Sequence, residues 1–424
     1  MLQVVNVGRK SLQDYATITA RGLMEEIRRL AAPLQGKRIL HLSATAFGGG
    51  VAEINYTLVP LMSDAGLEAE WRIIRGADEF FDVTKTIHNA LQGSPQGLTE
   101  EQKELYRRYN AQNAAELEEE YDFVIVHDAQ PVAVRDYADP TAQWIWRCHI
   151  DLSIPNEDVL AFVLESVARY DAAVFHRQQY VPRAELPMVT IWPPAIDPLA
   201  PKNMALSAED ATYIVDQFGI DVTRPMLTQV SRFDPWKDPL GVIDAYRLVK
   251  EEYPSVQLAL VGAMAHDDPE GWAFYDQTVA YAAGDPDIYI LSNLNNIGAV
   301  EVNAFQVHAA AVVQKSIREG FGLTVSEALW KARPTVGGRA GGIVDQIEDG
   351  VTGWLVGSSS ECAVACQEIL VDPVAARELA LRGKEHVRRN FLMPRLLRDW
   401  LVLFNLLLGN DTAGADVTTV EAAV

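Results

Sequence analysis

The chain has little cysteine and no long apolar run. Three cysteines among 424 residues are too few for a disulfide framework, which predicts a reducing cytoplasm as the compartment. The longest apolar segment, LVLFNLLLG at 401–409, is too short to span a bilayer, and the N-terminus shows no secretory signal pattern. The sequence therefore predicts a soluble cytoplasmic protein with no membrane partner.

Basic residues are also scarce relative to acidic ones. The 36 Lys and Arg residues face 58 Asp and Glu residues, which gives a formal net charge of -22. Nucleic acids and anionic membranes are bound through a basic surface, so this balance excludes both as expected partners. It leaves room for one small anionic ligand that a few local Lys or Arg residues hold.

Short apolar runs and amphipathic stretches alternate along most of the chain, as in a parallel sheet that helices cover on both faces. Predicted strands in the first half are 38–43, 123–128, 143–150, 172–176 and 188–192, with helices at 50–66 and 99–120. A second series has strands at 226–233, 256–263, 288–293, 309–316, 334–338 and 353–356, with helices at 238–253, 270–284 and 323–332. The pattern predicts two tandem doubly wound α/β domains.

A proline-rich stretch, WPPAIDPLAPKN at 192–203, separates the two series and is the best candidate for a hinge. We therefore expect an N-terminal Rossmann-like domain at 1–197 and a C-terminal one at 198–393, with a ligand cleft between them. A helix at 394–410 is expected to cross back to the first domain. The same helix suits a contact between subunits equally well, so the sequence leaves open whether the protein forms a homodimer. Residues 411–424 are expected to form a disordered tail.

Acidic residues stand on both sides of a glycine-spaced turn in the stretch REGFGLTVSEAL. Glu319 precedes the turn and Glu327 lies in the early turns of a helix that should begin near Leu323. Free amides and the helix dipole attract an anion there, whereas carboxylates accept hydrogen bonds from hydroxyls. A nucleotide-sugar, with phosphates between two hydroxyl-rich groups, has the matching shape. The alternative is that both acids only favour a helix N-terminus.

Two further stretches of the second domain point to a diphosphate. SRFDPWKDP places Arg232 and Lys237 in the turn after the first strand, where they can clamp phosphates. A surface ion pair with Asp234 or Asp238 is the alternative. GRAGGIVDQIEDGVTGWLV, at 338–356, combines a glycine-rich turn, a short helix and an Asp-Gly turn into a strand.

In order and spacing these three stretches resemble the retaining GT-B glycosyltransferases of the family that includes sucrose-phosphate synthases and bacterial glycogen synthases. The resemblance implies that Arg232 and Lys237 hold the diphosphate, that Glu319 contacts the donor sugar and that Glu327 contacts the ribose. The resemblance also implies that the backbone amides of residues 322–324 face the phosphates of the donor. The expected donor-binding residues are Gly320, Phe321, Gly322, Leu323, Thr324 and Glu327, with Asn293 and Asn295 in a base-contacting turn.

Glycines and polar residues end several strands of the first domain. AFGGGVAEINY carries a glycine run after the first apolar strand, and in the family a matching loop covers the donor phosphate and the acceptor. Polar groups in HDAQP and WRCHID close two strands, where they are expected to project into the cleft. His149 is expected to act near the reacting sugar, although a lone histidine is more often structural. The expected acceptor and phosphate loop comprises Gly48, Gly49, Gly50, Asp128, Gln130 and Arg147.

Within the family, the combination of HDAQP, WRCHID, SRFDPWKDP and QKSIREGFGLTVSEALW is similar to trehalose glycosyltransferring synthases. The resemblance implies a nucleoside-diphosphate glucose donor, a glucose acceptor and α,α-trehalose as product, with Arg232, Lys237, Glu319 and His149 as the catalytic group. The preferred base and the physiological direction stay open. Another sugar acceptor, as in sucrose-phosphate or glucan synthases, is one alternative. A nucleotide-sugar epimerase and a non-enzymatic sugar-binding protein are two more.

No dedicated metal site is expected from the sequence. The acidic stretch AHDDPEG at 265–271 reads as a solvated loop, with a divalent-cation site as the alternative. Mg²⁺ is often held mainly by substrate phosphates, so it stays compatible with a diphosphate donor. No cofactor is required.

Overall fold

The computed structural model describes residues 2–117, 120–264, 269–412, 414–415 and 418–420. Its strands are β1 (Gln3–Val4), β2 (Arg38–Ser43), β3 (Glu68–Ile73), β4 (Phe123–His127), β5 (Gln143–Arg147), β6 (Ala172–Phe175), β7 (Met188–Ile191), β8 (Met226–Val230), β9 (Gln257–Gly262), β10 (Ile288–Ser292), β11 (Ala311–Gln314), β12 (Thr335–Gly338), β13 (Trp354–Val356) and β14 (Thr418–Val420).

Its α-helices are α1 (Leu23–Ala31), α2 (Gly49–Asp64), α3 (Asp78–Leu91), α4 (Glu100–Ala115), α5 (Glu157–Val167), α6 (Ala208–Asp216), α7 (Pro239–Glu252), α8 (Pro269–Ala282), α9 (Ala299–His308), α10 (Leu323–Trp330), α11 (Ile343–Gln346), α12 (Ser359–Val371), α13 (Pro373–Asn390) and α14 (Met393–Leu407). None of the described helices is long and apolar enough to cross a membrane.

The described residues divide into two compact units, and the first comprises the chain up to Ala195 and again from Met393. Its sheet has the order β1-β3-β2-β4-β5-β6-β7-β14. Neighbours from β3 to β7 run parallel, whereas the edge strands β1 and β14 are antiparallel. Every residue of β4 is buried, as expected for a central strand that helices cover on both faces.

The second unit comprises Ile196–Leu392 and contains one sheet of order β10-β9-β8-β11-β12-β13. All its neighbouring strands are parallel. In such sheets ligands bind beyond the carboxyl ends of the strands, near the point where the strand order reverses. Here that point lies between β8 and β11, so the loops after these two strands are the first place to look for a site.

Helix α14 completes the first unit although it follows the whole second unit in the chain. It packs against α1 and α2. The side-chain amide of Asn405 donates to the carbonyl of Leu30 at 2.9 Å, and Arg398 pairs with Glu26 at 2.8 Å. The first unit is therefore built from two separate parts of the chain.

The predicted fold class, two Rossmann-like α/β domains, is confirmed, and the predicted strands agree with the structure to within a few residues at their ends. Among the elements that the sequence does not predict are β3 and β14. The sequence predicts no strand at β3, because charges interrupt its apolar run; in the structure Arg72 is buried there and pairs with Glu70 at 2.8 Å. A disordered tail was expected after 410, yet Thr418–Val420 pairs with β7.

Candidate active site

A lysine and a glutamate form a close ion pair between the loops after β8 and β11. Lys237 Nζ lies 2.8 Å and 2.7 Å from the two carboxylate oxygens of Glu319. The side chains are only 18% and 9% exposed, and the Ser316 hydroxyl donates to the same carboxylate at 3.1 Å. The structure thus brings together two residues that the sequence assigns to the same ligand.

A second ion pair braces the same two loops. Asp238, next to Lys237 in the chain, caps α7 by accepting from the Gly241 amide at 3.1 Å and also contacts the ammonium group of the buried Lys315. Two lysine–carboxylate pairs of opposite direction therefore tie the loop after β8 to the loop after β11. Lys315 is not predictable from the sequence, because a lysine after a buried strand has no distinctive pattern.

The loop that carries Glu319 passes close to β12. A Cβ added to Gly338 would lie 2.2 Å from the carbonyl oxygen of Ser316, so only glycine fits there. Beyond this contact the amide of the buried Gln346 donates to the carbonyl of Phe321 at 2.5 Å and lies 3.3 Å from that of Gly322. These contacts fix the path of the backbone into α10.

Helix α10 begins where the sequence predicts, directly after Gly322, whose φ of 82° lies in the left-handed region that glycine adopts without strain. The first amides of a helix have no partner within it and attract an anion. The Thr324 hydroxyl donates to the carbonyl of Val230 at the end of β8, at 3.2 Å. The start of α10 therefore lies at the strand ends that carry the ion pair.

Arg232 differs from Lys237 in its surroundings. Its side chain is 65% exposed and lies 3.6 Å from a carboxylate oxygen of Asp234. The surface ion pair, which is the alternative to a phosphate clamp, is thus present, but it is exposed and contributes little to stability. Such a side chain can turn towards an anion at small cost.

Glu327, only 1% exposed, lies on α10 against a cluster of polar side chains. Lys202 pairs with it at 2.8 Å. Lys331 donates to the side-chain oxygen of Asn203 at 2.9 Å, and burial lowers the pKa of Lys331 to about 7. Neither lysine was predicted, since Lys202 lies in the segment read as a hinge and Lys331 follows a helix without a motif.

The two asparagines expected to contact the base have structural hydrogen bonds instead. The Asn293 side chain accepts from the amide of Met264 at 2.7 Å and donates to its carbonyl at 3.1 Å. The Asn295 side chain accepts from the amide of Ser292 at 3.0 Å and so caps its own turn. Both side chains therefore help to hold the loop after β10 in its shape.

In the first unit, the glycine run precedes and opens α2. Gly48 and Gly49 have φ values of 70° and 73°, and a Cβ at either position would meet open space. Gly50 lies in the first turn of the helix. Phe47, directly before the run, is 76% exposed. The run is therefore an open turn at a strand end with accessible amides.

Arg147 ends β5 but is buried, which differs from its predicted place in a ligand loop. Its guanidinium donates to the carbonyls of Phe175 and Trp192 at 3.0 Å and 3.3 Å. Burial lowers its pKa to about 10. Gln130 is partly exposed, and its carbonyl accepts from Asn110 at 3.3 Å. Arg147 thus joins the end of β5 to the end of β6 and to the residue that follows β7.

Asp128 and His149 lie together beyond the ends of β4 and β5. A carboxylate oxygen of Asp128 accepts from the backbone amide of His149 at 2.6 Å, and burial raises the pKa of Asp128 to about 7. His149 is partly exposed as a whole residue, and its Nε2 lies 3.0 Å from Nδ1 of His127. Burial lowers the pKa of His149 well below its usual value, so this imidazole is neutral at pH 7.

In the part of the chain that the structure describes, no group of three or more His, Cys, Asp and Glu side chains has the arrangement of a metal site. The acidic stretch at 265–271, the alternative cation site, lies outside the described residues for its first four positions.

Comparison with known proteins assigns both halves of the chain. Residues 41–182 match the family model "Trehalose synthase, N-terminal domain", and residues 211–386 match "Glycosyl transferases group 1". A trehalose synthase from Rubrobacter xylanophilus is 60% identical over 96% of this chain and 100% of its own length. The corresponding protein of Pyrococcus horikoshii is 45% identical over 95% and 98%.

More distant proteins share the fold. A trehalose phosphorylase from Pleurotus pulmonarius is 26% identical over 89% of this chain and 58% of its own length. A crystal structure of a UDP-forming α,α-trehalose-phosphate synthase from Burkholderia xenovorans is 16% identical, covers 88% of this chain and superposes with a TM-score of 0.70. Given identities of 60% and 45% along nearly its whole length, the chain belongs to the group 1 glycosyltransferases of the GT-B fold, in the branch formed by the trehalose synthases.

Proposed function

We propose that the protein is a retaining hexosyltransferase that moves glucose from a nucleoside-diphosphate glucose to the anomeric hydroxyl of a second glucose and so forms α,α-trehalose. The observation that carries the proposal is the pair of Lys237 and Glu319 at the start of α10. It places a cation for a phosphate and a carboxylate for sugar hydroxyls side by side. Relatives that are trehalose synthases support trehalose as the product.

The second unit has the charges that the departing group needs. When the bond between C1 of glucose and the phosphate oxygen breaks, negative charge grows on the β-phosphate. Lys237 is held in place by Glu319, the exposed Arg232 is able to turn inward, and the first amides of α10 add partial positive charge. Donors that are positioned before the reaction stabilise such charge most effectively.

Retention follows in this proposal from a same-face reaction. The bond between C1 of the donor glucose and the phosphate oxygen breaks, and the oxygen of the acceptor hydroxyl forms the new bond to C1 on the same face. The departing phosphate oxygen takes the proton of that hydroxyl. Glu319 is already neutralised by a bidentate contact with Lys237, which makes it a group for positioning hydroxyls and a weak nucleophile. No protein carboxylate is needed as a base.

Glu327 is assigned to the ribose hydroxyls of the donor. Its carboxylate pairs with Lys202, so the ribose either shares this carboxylate with the lysine or displaces it. A Mg²⁺ ion, if the reaction uses one, is carried by the diphosphate of the donor in this proposal.

A second candidate is phosphorolysis of trehalose, with inorganic phosphate in place of the nucleotide. The distant trehalose phosphorylase relative favours it, and the cation and helix amides suit a free phosphate as well as a diphosphate. It predicts activity with glucose 1-phosphate and no dependence on a nucleotide.

The test is a matrix of donors and acceptors. UDP-, ADP- and GDP-glucose and glucose 1-phosphate are each combined with glucose, glucose 6-phosphate, fructose 6-phosphate and a short glucan, and NMR identifies the product and its anomeric configuration. We expect α,α-trehalose from free glucose and at least one nucleotide donor. Turnover of glucose 1-phosphate alone would establish the phosphorylase instead. Conversion of the donor sugar without any acceptor would indicate an epimerase.

A further inference from the structure

Three imidazole rings of the first unit form a continuous line across neighbouring strands. His41 lies in β2, His127 ends β4, and His149 follows β5. His41 Nδ1 is 3.0 Å from His127 Nε2, and His127 Nδ1 is 3.0 Å from His149 Nε2. Adjacent ring planes differ by only 19° and 18°. Both contacts therefore have the geometry of N–H···N hydrogen bonds between rings.

All three rings are neutral. Burial lowers the pKa of His41 to about 3 and the pKa values of His127 and His149 well below the usual value, and the nearby Arg147 guanidinium lowers the last two further. A neutral imidazole has one N–H and one lone pair. Each contact thus has one donor and one acceptor. The tautomer of the histidine at one end of the line therefore determines which nitrogen carries the proton in each of the other rings.

A methionine at the inner end of the line determines the tautomer of His41. The Nε2 atom of His41 lies 3.4 Å from the sulfur of Met62, and a thioether can accept a hydrogen bond but cannot donate one. His41 therefore has its proton on Nε2. His127 then donates from Nε2 to His41, and His149 donates from Nε2 to His127. Nδ1 of His149 then carries no proton, and its lone pair can accept a hydrogen bond.

The contact between Asn55 and His127 agrees with this direction of the hydrogen bonds only if the oxygen and nitrogen of the Asn55 amide are exchanged. Asn55 Nδ2 is placed 3.5 Å from His127 Nε2, which sets donor against donor, while the buried Oδ1 of Asn55 has no hydrogen-bond partner. Oxygen and nitrogen of an amide are assigned from such networks, and exchanging them gives His127 a second acceptor.

We infer that His41 and His127 are positioning residues that fix His149 as the neutral Nε2–H tautomer, with Nδ1 presented as an acceptor for a sugar hydroxyl. That the hydroxyl belongs to a sugar rests on the function proposed above. A ring locked in this way orients a hydroxyl and takes up no proton. It complements a reaction in which the leaving phosphate receives the acceptor's proton.

Histidine side-chain NMR reads this arrangement without any activity assay. In protein labelled with ¹⁵N-histidine, long-range ¹H–¹⁵N spectra distinguish the two tautomers, and substitution of single histidines assigns the signals. We expect the Nε2–H form of His149 at pH 7.5, unchanged down to pH 5.5. The charged or titratable groups that act on this ring are Arg147, His127 and His176, and the Asp128 carboxylate accepts from the backbone amide of the same residue. A predominant Nδ1–H form would overturn the inference.

A remote substitution tests the line itself. Met62→Leu conserves volume but removes the acceptor for His41 Nε2–H, and a neutral hydrogen bond contributes about 1 kcal/mol. The Nε2–H to Nδ1–H ratio at His149 should fall about fivefold. Met393→Leu, another buried methionine of the first unit, is the matched control and should leave His149 unchanged. An unchanged His149 in Met62→Leu would show that the rings are not coupled.

Substitution in the middle of the line connects it to turnover. His127→Leu should free His149 to protonate within the NMR titration and raise the KM for acceptor glucose by about 5- to 10-fold, with a smaller change in kcat. His127→Asn keeps an amide near the former Nδ1, where it can accept from His149. In this variant His149 should again stay in the Nε2–H form down to pH 5.5, as in the wild type. Wild-type behaviour of His127→Leu contradicts the inference. If no variant transfers glucose but His149 is Nε2–H, the proposed function fails and the line stands.

Discussion

The ion pair of Lys237 and Glu319 can be dissected by a double-mutant cycle with Lys237→Met, Glu319→Gln and both together. Nζ contacts both carboxylate oxygens at 2.8 Å and 2.7 Å, and both side chains are largely buried. Removal of the lysine takes the cation away from Glu319, whereas the hydrogen bond from the Ser316 hydroxyl at 3.1 Å stays. A hydrogen bond to a charged group contributes about 1.5–3 kcal/mol, so we expect each single change to lower the unfolding free energy by about 2 kcal/mol.

The double variant no longer contains an unpaired charge. It should therefore be more stable than the sum of the single effects predicts, with a coupling energy of about 1–3 kcal/mol. Urea unfolding followed by circular dichroism measures it, using the transition that the single variants shift. Strictly additive effects would refute the pair as a feature of the protein in solution.

The rate of transfer separates stability from catalysis. If Lys237 stabilises the departing phosphate, Lys237→Met should lower kcat by about 10²- to 10³-fold, as for loss of one preorganised donor. Lys250→Met is the matched control, because Lys250 pairs with Asp285 and Asp287, both at 2.9 Å, away from the two loops. It should lose stability and keep its turnover. Wild-type turnover of Lys237→Met would refute the assignment.

Three further predictions concern stability. Gly338→Ala should cost at least about 2 kcal/mol of unfolding free energy, because its Cβ would meet the Ser316 carbonyl, while Gly97→Ala, in open space, should stay within about 0.5 kcal/mol in the same urea titration. Below about pH 6.5 the unfolded chain binds a proton at His41 and the folded chain does not, so the free energy of unfolding should decrease as the pH falls, by about 3 kcal/mol between pH 7 and pH 4 from this group. His41→Phe should flatten that fall, and equal slopes would contradict it. Lys331, with a folded pKa of about 7, should make the wild type gain stability over Lys331→Met as pH rises from 7 to 9, measured by thermal unfolding; a constant difference would argue against the shift.

Local pattern was enough to predict most of the sheets. β4 and β11 consist of buried residues and read as apolar runs, and the Gly322 turn marks the start of α10 one residue ahead of Leu323. β3 is not predictable from an apolar pattern, because the buried Arg72 interrupts it; in the structure this cation pairs with Glu70 of the same strand. The alternation of apolar and polar residues indicates which positions are buried. It does not show which charged side chains are buried as ion pairs in the folded protein.

The site was predicted as a set of residues but not as a set of contacts. Lys237 and Glu319 are 82 positions apart, and nothing in either motif shows that each holds the other in place. Lys202 escaped notice because the prolines around it indicate a connection. The position of Arg147 at a strand end suggests a ligand contact, but the sequence does not show that the carbonyls of Phe175 and Trp192 accept two hydrogen bonds from its guanidinium.

The discontinuity of the first unit has a consequence for biosynthesis. During translation α14 leaves the ribosome only after the complete second unit, so β2 to β7 wait without their partner helix while Ile196–Leu392 can already fold. The nascent first unit then exposes the apolar surface of α1 and α2 that α14 covers later. We expect this early stretch of the chain, and not the inserted unit, to be the part that chaperones engage during synthesis.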